Sequence, residues 1–92
     1  MKKYEMMVIY NTEERPLEET KTFVKDTFSS NNIKVIDEKD MGMRELAYLI
    51  NKKKRGYYYL FNFEAEPASI KEMNAAFKLY KGIFKNLVLV QE

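Results

Sequence analysis

Residues 52–63 read KKKRGYYYLFNF: four cations run into a glycine, and a strongly β-prone aromatic run follows. Successive side chains of a strand point to opposite faces. Tyr57, Tyr59, Phe61, Phe63 and Ala65 therefore share one face, and Tyr58, Leu60, Asn62 and Glu64 share the other. Burying the second set would put Asn62 and the unpaired carboxylate of Glu64 in the interior, a penalty of several kcal/mol. It would also leave Phe61 and Phe63 in water, forfeiting about 1.5 to 3 kcal/mol each. The first set is expected to pack inward, and Tyr58, Leu60, Asn62 and Glu64 to look out.

The flanking sequence supplies the elements around this strand, which is expected over residues 57–65. Upstream, residues 33–36 open a strand that continues past Gly42, a bulge or bend, to Leu46, Tyr48 and Ile50 alternating with Ala47 and Leu49. The DEKD run at 37–40 suits a solvent-facing edge, where charge discourages pairing with other molecules. NKKKRG at 51–56 reads as the hairpin tip. A first strand covers residues 3–10, with Tyr4, Met6, Val8 and Tyr10 on one side and Glu5, Met7 and Ile9 on the other.

Two helices complete the chain. Pro16 suits a first turn, and Leu17, Phe23, Val24 and Phe28 form an apolar stripe; Glu18 and Glu19 lie near the positive end of the dipole. SSNN at 29–32 stops this helix. Ser69 and Glu72 read as a capping box for the second, whose apolar face is Ile70, Met73, Phe77 and Tyr80. Lys81 and Gly82 offer a cation and a left-handed residue for its end, and residues 87–90 form the last strand. The order β-α-β-β-α-β makes an α+β, ferredoxin-like domain over residues 1–92. Its four-stranded antiparallel sheet has the first and third strands central and both helices on one face.

Composition narrows the function. Ninety-two residues fit one small domain, and 46% hydrophobic with 33% charged residues is the balance of a globular protein. No apolar run exceeds five residues, far short of the roughly 20 that span a bilayer. Glu5 interrupts the basic-then-apolar start, which argues against a signal peptide and for a cytoplasmic protein. Cys and His are both absent, which removes disulfides, thiolate and imidazole nucleophiles and the commonest zinc ligands. No metal or cofactor is expected. The net charge of +2 conceals a net −2 over residues 1–40 and a net +4 over residues 41–92.

RNA-recognition-motif domains share this element order, and their third-strand signature is met by Arg55, Gly56, Tyr57, Tyr59 and Leu60 but missed at Tyr58 and Asn62. The inward orientation of Tyr57 and Tyr59 removes the base-stacking platform. A free-standing regulatory RNA binder of that kind is the alternative reading. The cations Lys52, Lys53, Lys54 and Arg55, with Lys2, Lys3 and Arg44 in the same basic sector, suit a phosphate backbone held without sequence readout. On the open face Met7, Ile9, Tyr58 and Leu60, joined by Leu87 or Leu89, form an apolar patch that favours a protein partner. A phosphatase site is not expected: the NTEERP loop at 11–16 offers Arg15 without a glycine cradle and beside Glu13 and Glu14.

The segment GMRELAYLINKKKRGYYYLFNFEA, residues 42–65, resembles the bacterial small-subunit ribosomal protein family numbered six. Its members carry G-x-R-x-L-A-Y-x-I-x-K here, matched by Gly42, Arg44, Leu46, Ala47, Tyr48, Ile50 and Lys52. The opening Lys2, Lys3, Tyr4, Glu5 and the ending through Phe77, Lys78, Ile83 and Lys85 are similar as well. The chain departs from the family pattern at Glu45, Leu49 and Lys78. The resemblance implies a non-catalytic constituent of the small (30S) subunit, cytoplasmic and ribosome-associated, with no membrane or small-molecule partner. It would bind the central domain of the 16S rRNA together with small-subunit ribosomal protein number eighteen. Carried over by position, Lys2, Lys3, Tyr4, Arg44 and Lys52 are the RNA-side residues it implies; Lys53, Lys54, Arg55 and Lys85 join them on charge.

Overall fold

The computed structural model describes residues 1–50 and 53–91, with side chains described for all of these except residues 46–50, 53 and 54. Six elements follow in the expected order: β1 (Lys2–Tyr10), α1 (Leu17–Ser30), β2 (Lys34–Ile50), β3 (Lys53–Ala65), α2 (Pro67–Leu79) and β4 (Ile83–Gln91). The strands lie in the order β2-β3-β1-β4, and every pairing is antiparallel.

The alternation along β3 resolves as the side-chain energetics require. Phe63 and Ala65 are fully buried, Phe61 is 2% and Tyr59 8% exposed, while Leu60, Asn62 and Glu64 stay half-exposed on the opposite face. Tyr4, Met6, Val8 and Tyr10 of β1 join the buried set, and Val24, Phe28, Met73 and Phe77 of the two helices close over it. Phe28 meets the ring of Phe61 edge-on at 5.1 Å, and Phe23 tilts against Phe77 at 6.0 Å, so aromatic contacts link helix to sheet and helix to helix. Neither helix is long and apolar enough to cross a membrane.

Helix α1 stops where SSNN predicts. Asn32 takes the left-handed φ of +56°, which Asn tolerates better than most residues. The Ile33 N–H then bonds the Phe28 carbonyl at 2.9 Å and the Asn32 N–H the Ser29 carbonyl at 3.4 Å, a Schellman arrangement with Ile33 tucked into the core. Gly42 also behaves as expected: its φ is +78° and the β2–β3 register shifts between Asp40 and Gly42, a bulge.

Four expectations need correction. The capping box does not form: α2 begins at Pro67 with Glu66 as N-cap, and Ser69 lies inside the first turn. Proline fixes a helical φ and needs no N–H partner at that point, so the helix starts three residues earlier than a Ser69 cap would set it. Gly82 is not a left-handed cap. It is buried, and a Cβ there would approach Thr20 Oγ1 and Tyr80 Cε1 to 2.5 Å, so close packing rather than backbone freedom requires glycine. Strand β4 begins at Ile83, ahead of the expected 87. Strand β3 begins at Lys53, so residues 53–56, expected in the hairpin tip, belong to the strand. Glu45 pairs with Arg55 and Ile50 with Lys53, while β1 ends opposite Tyr57, so the β2–β3 ribbon projects beyond the sheet. Asn51 and Lys52 fall outside the described residues.

Candidate RNA and protein interfaces

The registers fix what lies on the open face. Ile9 is flanked by Tyr58 and Lys85, Met7 by Leu60 and Leu87, Glu5 by Asn62 and Leu89, and Lys3 by Glu64 and Gln91. Beyond β3 these rows continue onto Gly42, Lys39, Asp37 and Lys34 of β2. The result is an apolar block of Ile9, Met7, Tyr58, Leu60, Leu87 and Leu89 that passes into a polar end. There Asn62 donates to Asp37 at 2.8 Å and Gln91 to Glu5 at 3.4 Å. Exposure rises toward β4: Ile9 is 8% exposed, Leu87 50% and Leu89 62%. All four residues expected on the protein-facing side, Met7, Ile9, Tyr58 and Leu60, lie within this block, though Ile9 contributes little surface.

The cations do not form one sector. Arg44 stands opposite Gly56 and Arg55 opposite Glu45, both exposed at the root of the projecting ribbon, and Lys53 and Lys54 continue it. Lys2, in contrast, pairs with Ala65 and Lys3 with Glu64. Gly56 and Ala65 are nine strand steps apart, roughly 30 Å at the usual rise. The antiparallel course of β1 against β3 therefore carries Lys2 and Lys3 to the far end of the sheet, and the expected single basic sector is corrected to two. Lys85 is exposed beside Ile9, near the ribbon end of the apolar block. Lys52 lies outside the described residues.

Tyr4 also needs correction as an RNA-side residue. It is 5% exposed, and its ring stacks on Phe63 at 5.7 Å. Even-numbered β1 positions face the helices, so a tyrosine there serves the core.

A polar cluster on the helix-facing side of the β2 edge escaped sequence reading. Bulges flank residues 37–40, and within that run Asp37 and Lys39 face the open side while Glu38 and Asp40 face the helices. Tyr59 donates its hydroxyl to Glu38 at 2.7 Å and Tyr57 donates to Asp40 at 2.6 Å. Lys21 of α1 lies over the Tyr59 ring at 5.4 Å and 4.0 Å from Asp40, and Lys25 lies 3.9 Å from Glu38. Burial and then the Glu38 bond push the Tyr59 hydroxyl well above the ordinary phenol range; the Asp40 bond chiefly raises Tyr57. Burial raises Tyr10, whose hydroxyl is sealed in the core with no hydrogen-bond partner among the described residues. The sequence signal was present as two carboxylates at i, i+2 facing two tyrosines at i, i+2.

The loop before α1 offers no anion cradle. Arg15 donates to the Glu14 carbonyl at 3.0 Å and lies 3.8 Å from Glu19, and the Asn11 side chain accepts the Glu13 N–H at 3.2 Å. Among the described residues no group of three or more acidic, His or Cys side chains could hold a metal ion.

Comparisons with known proteins agree with this architecture. The family described as Ribosomal protein S6 matches residues 3–89. The small ribosomal subunit protein bS6 of Phytoplasma mali is 32% identical over 94 aligned residues, covering all of both chains. Its counterpart in Helicobacter acinonychis is 35% identical over 91 residues; the match covers 97% of this chain but 64% of that longer relative. Among solved structures, the 30S ribosomal protein S6 of Thermotoga maritima superposes with a TM-score of 0.85 at 24% identity, over 98% of this chain and 87% of that one. The C-terminal domain of the Mycobacterium tuberculosis MgtC protein shares the fold at a TM-score of 0.59 and 17% identity, over 100% of this chain and 89% of that one. With nearly its whole length matched by the family and by a full-length relative above 30% identity, the chain belongs to the ribosomal protein S6 family of the small ribosomal subunit.

Proposed function

We propose that this chain is a non-catalytic structural constituent of the 30S particle in the cytoplasm. It binds the central domain of the 16S rRNA jointly with small-subunit ribosomal protein number eighteen. The observation that carries this reading is the apolar block of the open face, ending in Leu87 at 50% and Leu89 at 62% exposure, with Arg44 and Lys85 beside it. Apolar surface of that kind favours a protein, and the adjoining cations suit a phosphate backbone crossing the seam. Arg44, Lys53, Lys54, Arg55 and Lys85, with Lys52, make the principal RNA contact in this reading, and Lys2 and Lys3 a separate one. Base stacking is not required: Tyr58 is the single aromatic on the open side of the two central strands, β1 and β3.

Gel-shift titration of a central-domain rRNA fragment tests this. Affinity should be weak and salt-sensitive for the chain alone and should rise when the partner protein is added. No gain on adding the partner would remove the joint mode. Failure to sediment with 30S particles in low salt would remove the ribosomal role itself.

A further inference from the structure

The two edges of the sheet are treated very differently. The β2 edge carries Asp37, Glu38, Lys39 and Asp40 and is broken by register shifts on both sides of that run, features that resist pairing with another strand. The β4 edge reads IFKNLVLVQ, with one cation, no anion and no proline, and its pairing with β1 is regular from Lys85 to Gln91. In an antiparallel pair alternate residues turn both N–H and C=O away from the partner strand, so β4 presents a ladder of such groups along a free edge.

Its surroundings specify what could occupy that edge. On the open side the row ends in the exposed Leu87 and Leu89. On the helix side a groove of about 420 Å³ runs between α2 and β4, lined by Asn74, Phe77, Lys78, Phe84, Asn86 and Val88. A neighbouring groove adds Lys81, with Glu14 as its single acid. Lys78 and Lys81 have no ion-pair partner among the described residues.

We infer that the free edge of β4 receives an extended segment of a partner protein as a fifth strand, and that this segment alternates aliphatic with acidic residues. Strand addition supplies main-chain hydrogen bonds, while period-two side chains give selectivity. Aliphatic positions continue the Leu87 and Leu89 row on the open side, and acidic positions meet Lys78 and Lys81 on the helix side. Nucleic acid fits this edge poorly, because its phosphates cannot donate to the outward carbonyls. The inference goes beyond the rRNA reading and does not depend on it.

The test uses the full chain without RNA and a labelled, end-blocked peptide of alternating valine and glutamate, about one strand long. Fluorescence anisotropy should show saturable binding, and amide exchange should slow along β4 when the peptide is present. Methylating the peptide nitrogens that face the edge should weaken binding about tenfold or more, because each change deletes a ladder donor. Methylating the alternate nitrogens should leave it intact. Replacing Lys78→Glu and Lys81→Glu together should weaken binding without altering the circular dichroism spectrum. Absence of saturable binding, indifference to the edge-facing methyl groups, or protection mapping to β2 would overturn the proposal. So would sedimentation showing that β4 is already occupied by a second copy of the chain, or displacement of the peptide by duplex RNA.

Discussion

Tyr59 donates its hydroxyl to Glu38 at 2.7 Å, although the residue aligned with Glu38 across the ladder is Phe61. The bond is diagonal, and Tyr57 repeats it one step along, reaching Asp40, which is aligned with Tyr59. Two diagonal bonds of the same sense fasten the β2 edge to β3 at the point where the ribbon leaves the sheet. Tyr59→Phe should therefore lower stability by about 1 kcal/mol, seen as a reduced urea midpoint with an unchanged slope.

The same cluster sets an alkaline limit. Tyr59 and Tyr10 have folded-state hydroxyls raised above the ordinary value of 10.0. The unfolded chain then loses these protons first as pH rises, binds fewer of them than the folded chain, and gains population. The tyrosine contribution is complete below about pH 10 and is lost progressively above it. Urea midpoints at successive pH values from neutral to strongly alkaline should fall, and fall less steeply in Tyr59→Phe.

Gly42 and Gly82 should respond to alanine for different reasons. Gly82→Ala drives a methyl group against Thr20 and Tyr80 and should cost about 1 to 3 kcal/mol, with part recovered in combination with Thr20→Ala. Gly42→Ala meets nothing within 4 Å, yet its φ of +78° should cost about 1 to 2 kcal/mol. Thermal unfolding of the three variants separates collision from backbone strain, since Thr20→Ala cannot rescue position 42.

The split between cation groups is measurable. Removing one phosphate contact lowers the slope of log affinity against log salt by about 0.7 to 0.9. Arg44→Ala and Arg55→Ala should each reduce the rRNA slope by about that amount. Tyr4→Phe should leave affinity and slope unchanged, because the ring lies in the core. A loss of affinity in a fully folded Tyr4→Phe protein would restore a direct RNA role to that residue.

The exposed leucines should matter to the partner and little to the fold. Leu87→Ser should change stability by no more than about 0.5 kcal/mol, as for most surface positions. In the proposed joint complex it should reduce the gain in RNA affinity that the partner confers, read by gel shift with and without the partner.

Much of this was legible in the residues. Alternation in β1 and β3 gave the buried face, because an error there would bury Glu64 and expose Phe61. SSNN marked the end of α1 and Gly42 a bulge, but the left-handed backbone itself, at Asn32 and Gly42, was not foreseen and was expected instead at Gly82. Boundaries were less legible where two signals competed. Proline at position 67 outranked the Ser69 capping pattern, and the basic run at 53–56 looked like a turn although pairing with β2 lets strand ends carry cations. Charge counting placed Lys2 and Lys3 beside the hairpin because it ignored strand direction. The tyrosine–carboxylate cluster was hidden because Glu38 and Asp40 read as solvated edge charges until a bulged register turned them toward the helices.

The central place of β1 has a bearing on how the molecule is made. Lys3 is aligned with Glu64 on one side and with Gln91, at the opposite end of the chain, on the other. During synthesis from the amino end, β1 must wait, one flank bare, for β4 to emerge. The sheet can close only after residues 83–91 have left the exit tunnel, and shielding of that waiting flank is where a nascent chain of this design would first need help.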